Sequence, residues 1–378
     1  MPTESPAHLP VYLPDAIDPA QLKRALVIKL RHHGDVLLAS PVLSALKAAA
    51  PQCEIDALVF ADTAPMLAEH PALTQLHTLD RNWKKQGLGA QLRGEWAAFS
   101  ALRARRYDIV IHLTDHPRGA WLARLLGSRW SVAPQRSKPR KLALRWWKQS
   151  FTHLYKTVGG GRRHTVDTHL DALRRIGIQP ENEARRLCLV PGAEAQSRVD
   201  ARLAELGVEA GCFIQFHPAS RWFFKCWPVE QCAQLLAALV SRGELIVLTA
   251  APDEREKKMV DAILALAGVG DRAINLAGQF SLKELAALTT RAKLFIGVDS
   301  APMHIAAAVG TPSVALFGPS GDKEWGPWMV PSEIVTSDYP CRPCGLDGCG
   351  GGKVSECLTT IPASRVLAAV DRLLAGRA

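Results

Sequence analysis

Three short stretches of the 378-residue chain gather polar side chains beside glycine or proline, where a strand could hand over to a helix. The first is Gly34-Asp35. A carboxylate at that junction can act as a general base toward a bound hydroxyl, and the same position also suits a helix N-cap. The second runs His217-Pro-Ala-Ser-Arg221 and on through Lys225-Cys-Trp-Pro228. Loop amides, the Ser220 hydroxyl and the Lys225 ammonium would meet there at one helix N-terminus, an arrangement that holds phosphate. The alternative is a pair of solvated loop residues. The third is Gly297-Val-Asp-Ser-Ala-Pro-Met-His304. Asp299 and Ser300 are placed there for a second phosphate or sugar contact or, more simply, as caps, with His304 a packed helix residue.

Two further clusters stand out. Cys341, Cys344, Cys349 and Cys357 lie within seventeen residues and open with Cys-x-x-Cys in a glycine-rich stretch. Four thiolates can cage a structural zinc ion, although the second pair is spaced wider than in common zinc ribbons. Unligated cysteines are the alternative, and Cys226 and Cys232 read as packing. From Arg118 to Arg163 there are twelve Lys or Arg and no Asp or Glu, interleaved with Trp121, Trp130, Trp146 and Trp147. Such a segment offers cations to an anionic partner and indoles to a sugar face or a membrane interface. Trp121 and Trp146 would equally serve to pack a helix on a sheet.

The elements that must position these groups alternate. Ala25–Leu30 reads as a strand followed by a helix over 36–50, then a strand over 54–60, a helix over 65–70 and strands over 75–79 and 107–113. The pattern restarts with a strand at 211–217, a helix at 229–242 and a strand at 245–249. Helices at 253–266 and 282–291, a strand at 294–298, a helix at 303–309 and a strand at 313–317 follow. Alternation of this kind predicts parallel sheets covered on both faces, in two α/β halves whose strand ends face a common cleft. We place an N-terminal extension at 1–22 and the two domains at 23–188 and 189–378, the second closing with the Cys-rich loop and a final helix.

Composition narrows the class. Hydrophobic residues make up 48% and charged residues 22%, a globular balance, and the formal net charge of +10 calls for an anionic partner. Apolar runs such as 235–240 and 245–251 are far shorter than the ~20 residues that cross a bilayer. Five prolines in the first twenty residues, with no basic start or continuous apolar stretch, predict a loose extension on a cytosolic protein.

Taken together and in order, Lys29-Leu-Arg-His-His-Gly-Asp-Val-Leu-Leu38, the motif at 217–228, and Gly297-Val-Asp-Ser300 through His304 with Gly310-Thr-Pro312 resemble glycosyltransferase family nine. These are the bacterial ADP-heptose:lipopolysaccharide heptosyltransferases. The resemblance runs from about Ala25 to the C-terminus. The closing Cys341-Arg-Pro-Cys344, Gly348-Cys349 and Ser355-Glu-Cys357-Leu pattern is most similar to the heptosyltransferase III branch, which adds the branching heptose of the inner core.

The resemblance implies a GT-B fold, two Rossmann-like doubly wound domains facing a central cleft, with acceptor on the first and nucleotide sugar on the second. It implies an inverting transfer in which Asp35 is the general base, Lys225, Ser220 and the amides around Ser300 stabilise the leaving diphosphate, and Asp299 meets donor heptose hydroxyls. Asp253, just past the strand at 245–249, is the candidate for adenosine recognition by its place in a Rossmann-like half, with Glu256 a bland helix residue nearby. No Asp-x-Asp occurs, so no catalytic divalent ion or other cofactor is implied; the donor substrate is ADP-heptose. Arg136, Lys138, Arg140 and Lys141 would face a phosphorylated, lipid-anchored acceptor, placing the protein at the cytoplasmic face of the inner membrane. A GT-B transferase for another nucleotide sugar and a basic nucleic-acid-binding protein are the rivals. The second lacks any recognisable binding module.

Overall fold

The computed structural model describes residues 13–136, 141–158 and 162–376. Two six-stranded parallel sheets carry the chain. β1 (Arg24–Ile28), β2 (Glu54–Phe60), β3 (Gln75–Leu79), β4 (Ile109–His112), β5 (Trp130–Pro134) and β6 (His153–Tyr155) form the first, in the order β3-β2-β1-β4-β5-β6. β7 (Phe213–His217), β8 (Leu245–Leu248), β9 (Ala273–Asn275), β10 (Leu294–Val298), β11 (Ser313–Leu316) and β12 (Ser332–Val335) form the second, in the order β12-β11-β10-β7-β8-β9. Counted from its own first strand, the second sheet repeats the order of the first. Winding therefore reverses between β1 and β4 and again between β7 and β10. A crevice opens outside the carboxyl ends of strands at such a reversal.

The central strands are covered on both faces, which is why they read as continuous apolar runs instead of alternating ones. Helices Leu88–Arg105, Pro117–Leu126 and Lys141–Ser150 lie on one face of the first sheet, where Leu102, Ala120, Ala123 and Trp147 pack on Leu26, Ile28 and Leu58. Helices Ser40–Ala49 and Thr165–Arg174 cover the other face. That second core is continuous across the molecule: Leu37, Leu43 and Leu67 share it with Leu285, Ala286, Ile305 and Ala307 of the other half. Beside it, Lys283 Nζ donates to the carbonyls of Ala68, at 2.9 Å, and Val190.

Several expectations change. The helix expected at 36–50 is two, His33–Leu37 and Ser40–Ala49, the second with Pro41 in its first turn, where a missing N–H costs nothing. The helix expected at 65–70 is a 3-10 turn, Ala61–Met66. The N-terminal extension is not loose throughout. Ile17 and Leu22 are buried in the core, and Asp15 forms an ion pair with Arg175 at 2.6 Å.

Candidate functional site

A cavity of about 870 Å³ lies where the two switch points meet, within the size range of small-molecule sites. Residues 32–35, after β1, line one side; those after β7, β8 and β10 line the other. Asp35, Ser220, Lys225, Asp253, Asp299 and Ser300 all line it. The sequence motifs therefore converge on one space.

Asp35 is the third residue of helix His33–Leu37, and His32 holds the cap position. Its carboxylate is 23% exposed, and Lys29 Nζ stands 3.8 Å from Oδ1. Lys29 itself is buried and lies 2.8 Å from His169 Nε2 and 3.4 Å from the Leu113 carbonyl. His169 Nδ1 is 2.9 Å from the Leu38 carbonyl, which only accepts, so Nδ1 carries the proton and Nε2 accepts from Lys29. Burial pushes the Lys29 ammonium down to about 8, and Asp35 pulls in the opposite direction. At neutral pH the group beside Asp35 is therefore a cation, steered from behind by a neutral imidazole. Lys29 belongs to the first sequence motif, whereas neither spacing nor composition points to His169.

Across the cavity, Lys225 Nζ lies 2.6 Å from Asp299 Oδ2, and Asp299 is nearly buried. Asp299 is thus a partner of the lysine and not a simple cap. Ser300 occupies the cap position of helix Ala301–Ala308 but its hydroxyl donates to the Val298 carbonyl at 3.3 Å, so no side chain caps the first turn. Pro302 has no N–H and the Met303 amide donates to the Ser300 carbonyl at 3.2 Å, which leaves the Ala301 amide and the positive end of the helix dipole beside the cavity. Ser220 is buried, with Oγ accepting the Trp222 N–H at 3.3 Å. It is not a solvated loop residue.

Asp253 lines the cavity and is also a helix cap. Its Oδ1 accepts the amides of Arg255 and Glu256 at 2.9 and 3.3 Å, so it caps helix Glu254–Ala267. Glu256, read as bland, is the buried carboxylate on the cavity wall; Oε2 accepts the Ala251 N–H at 3.0 Å, and burial pushes its carboxyl upward. His304 is a second residue whose site position was missed. It is buried on the cavity wall, its Nδ1 has no hydrogen-bond partner, and burial takes its imidazole down to about 4.

The acceptor candidates and the cysteines fare differently. Arg136 does not line the cavity; its guanidinium lies 5.2 Å from the Trp147 ring centre. Lys138 and Arg140 fall outside the described residues, and Lys141 opens helix Lys141–Ser150 with its side chain also outside them. Trp147 is the tryptophan that packs a helix on the sheet, while Trp121 and Trp146 pair with each other at 5.0 Å. Cys341, Cys344 and Cys349 are exposed and Cys357 is buried. Among the described residues no three His, Cys, Asp or Glu gather as a metal ligand set, so the geometry does not fit the zinc expectation.

A family model for glycosyltransferase family 9 (heptosyltransferase) matches residues 96–354. Lipopolysaccharide heptosyltransferase 3 of Escherichia coli is 35% identical over 348 residues, 91% of this chain and 97% of that one. The chain belongs to glycosyltransferase family 9. Its fold is shared with a family 9 glycosyl transferase of Veillonella parvula, at a TM-score of 0.79 and 24% identity, covering 96% of this chain and 99% of that one. The Escherichia coli ADP-heptose heptosyltransferase II superposes at a TM-score of 0.71 and 20% identity, covering 94% and 99%. The two-sheet architecture is the GT-B fold of family 9. Among the described residues no helix is long and apolar enough to cross a membrane.

Proposed function

We infer that this family 9 glycosyltransferase moves a heptose from ADP-heptose onto the inner core of lipopolysaccharide, with inversion at the anomeric carbon. The observation that carries the mechanism is the placement of Asp35 and the Lys225–Asp299 pair on opposite walls of one cavity, at the two switch points. Asp35 takes the proton of an acceptor hydroxyl as its oxygen attacks the anomeric carbon. The bond from that carbon to the diphosphate oxygen breaks, and its electron pair leaves with ADP. A diphosphate needs charge stabilisation and not a strong acid, and Lys225, the Ser220 hydroxyl and the Ala301 amide supply it. Asp299 orients the lysine and offers its second oxygen to donor hydroxyls. Glu256, past the end of the second strand of its half, is placed for the ribose hydroxyls.

In this reading residues 23–188 bind the acceptor and 189–378 the donor. The basic segment 118–163, with Arg136, Lys138, Arg140 and Lys141, draws in an acceptor dense in phosphate at the cytoplasmic membrane face. Purified protein incubated with ADP-heptose and a set of truncated cores should yield one core heavier by a single heptose in the mass spectrum. Transfer from other nucleotide sugars at equal rate, or to no core, overturns the assignment.

A further inference from the structure

His217 ends β7 at the winding reversal of the second sheet, between β8 and β10. The mechanism above gives it no part. Its ring is buried and lies on the cavity wall. Gln215 and His217 are alternate residues of one strand, so their side chains stand on the same face. Thr249 joins them there because its amide donates to the Phe216 carbonyl at 3.0 Å. The three form a chain: Gln215 Nε2 donates to Thr249 Oγ1 at 3.2 Å, and that oxygen is 3.0 Å from His217 Nδ1. All three are buried.

The chain has a direction. An amide nitrogen only donates, so Thr249 Oγ1 accepts from Gln215 and has its single proton left for Nδ1. Gln215 Oε1 has no hydrogen-bond partner, so only the nitrogen end of the amide is tied into the relay. An imidazole that accepts at Nδ1 carries its own proton on Nε2. Burial takes this ring down to about 4, so it is uncharged at neutral pH. With Nδ1 turned inward onto Thr249, the Nε2–H edge is the one left for the cavity.

The cavity has a use for a neutral donor. Four carboxylates line it against three Lys or Arg, and Lys225 is already paired with Asp299. A diphosphate meets little net positive charge there, so fixed N–H groups must hold much of it. We propose that His217 is a further donor-binding residue, whose Nε2–H, held in that tautomer by Thr249 and Gln215, donates to a phosphate oxygen of the nucleotide diphosphate. The assignment rests on the ADP-sugar reading of the cavity. The same hydrogen bond serves the bound donor and the departing ADP, so its loss should raise KM more than it lowers kcat.

The test uses the full chain, with ADP and adenosine as probes. His217→Leu should weaken ADP by about tenfold in calorimetry and leave adenosine unchanged, since only a contact to phosphate is removed. His217→Gln, which again offers an N–H to the cavity, should recover most of that loss. Wild-type ADP affinity in His217→Leu, equal losses for ADP and adenosine, or a glutamine variant no better than the leucine one overturns the proposal. Nitrogen NMR of histidine-labelled wild type decides without any substitution in the core. The His217 ring, assigned from the backbone, should show a protonated Nε2 and a bare Nδ1, unchanged between about pH 6 and 8, and Nε2 should shift with ADP but not with adenosine. A reversed relay, with Nδ1 protonated because the Gln215 amide oxygen takes the Thr249 proton, overturns the assignment, as does an Nε2 signal that ADP leaves in place. A wild type that binds no ADP overturns the donor reading and this assignment with it. A protein that passes these binding tests but moves no heptose loses the proposed transfer and keeps His217 at the phosphates.

Discussion

Gly34 and His304, from opposite halves of the molecule, are in such close approach that a methyl group on Gly34 would stand 2.8 Å from His304 Cδ2. Both residues line the cavity, and a side chain at 34 has room only if the imidazole shifts. Gly34→Ala should therefore force the imidazole or the helix carrying it to move, destabilising the fold by about 1–3 kcal/mol. Transfer should fall further than stability explains, because Asp35 is the next residue. Thermal unfolding with initial rates checks both, and wild-type values for the pair would show that the contact yields freely.

Asp35→Asn keeps the shape of the proposed base and removes its capacity to take a proton. Transfer should drop by about 100 to 10,000-fold while ADP binding by calorimetry stays near wild type. Near-normal turnover would leave Asp35 without a catalytic part and the proposed mechanism without a base.

The Lys225–Asp299 pair predicts a specific order among variants. Lys225→Ala removes the phosphate contact and also leaves a nearly buried carboxylate facing the diphosphate. The double variant Lys225→Ala/Asp299→Ala should therefore bind ADP more tightly than Lys225→Ala alone, a non-additivity that a double-mutant cycle measures. Adenosine affinity should be unchanged in both and in Asp299→Ala, the third variant of the cycle. Additive losses would mean that the two side chains act separately on the donor.

Lys29 predicts a pH dependence of stability. Its ammonium falls from an ordinary 10.5 to about 8 in the folded chain, so between those values the unfolded chain binds more protons and stability rises with pH. That contribution is about 3 kcal/mol across the window and absent below it. Lys29→Met should abolish it, so the variant should compare most favourably with wild type near pH 7 and lose ground toward pH 10. Parallel stability curves from denaturant unfolding would show that Lys29 does not titrate in this range.

Glu256→Gln tests the nucleoside end. ADP and adenosine should both weaken, by about tenfold, since a carboxylate hydrogen bond to ribose is removed from each. Loss for ADP alone would place Glu256 beside the phosphates instead.

Much of this arrangement is legible in the residues. Doubly covered strands are apolar runs, and the three motifs fall at strand ends, so the two α/β halves and the cavity they share follow from pattern. β5 and β6 are not legible, because they lie inside the Arg- and Trp-rich stretch and span only five and three residues. Asp253 and Glu256 show the limit of positional reasoning. Both follow β8 and line the cavity, and what separates them is that Asp253 is committed to the two amides of a helix cap. Asp253 was a capping residue by type, a signal that was available. The Lys225–Asp299 contact joins positions seventy-four residues apart, and local spacing carries no trace of it. Cysteine spacing likewise says nothing of whether the sulfurs meet.

The core that runs from Leu37 and Leu67 into Leu285 and Ile305 bears on how such proteins can be recombined. A donor half grafted from a relative would bring foreign side chains against Leu37, Leu43 and Leu67, and tight packing tolerates such exchange poorly. Chimeras made to change the sugar donor should melt early unless the helices around Leu285 and Ile305 are transferred together with the surface they meet. The same continuity predicts one heat-capacity peak on unfolding, not two, since neither half can expose its share of that interior while the other remains folded.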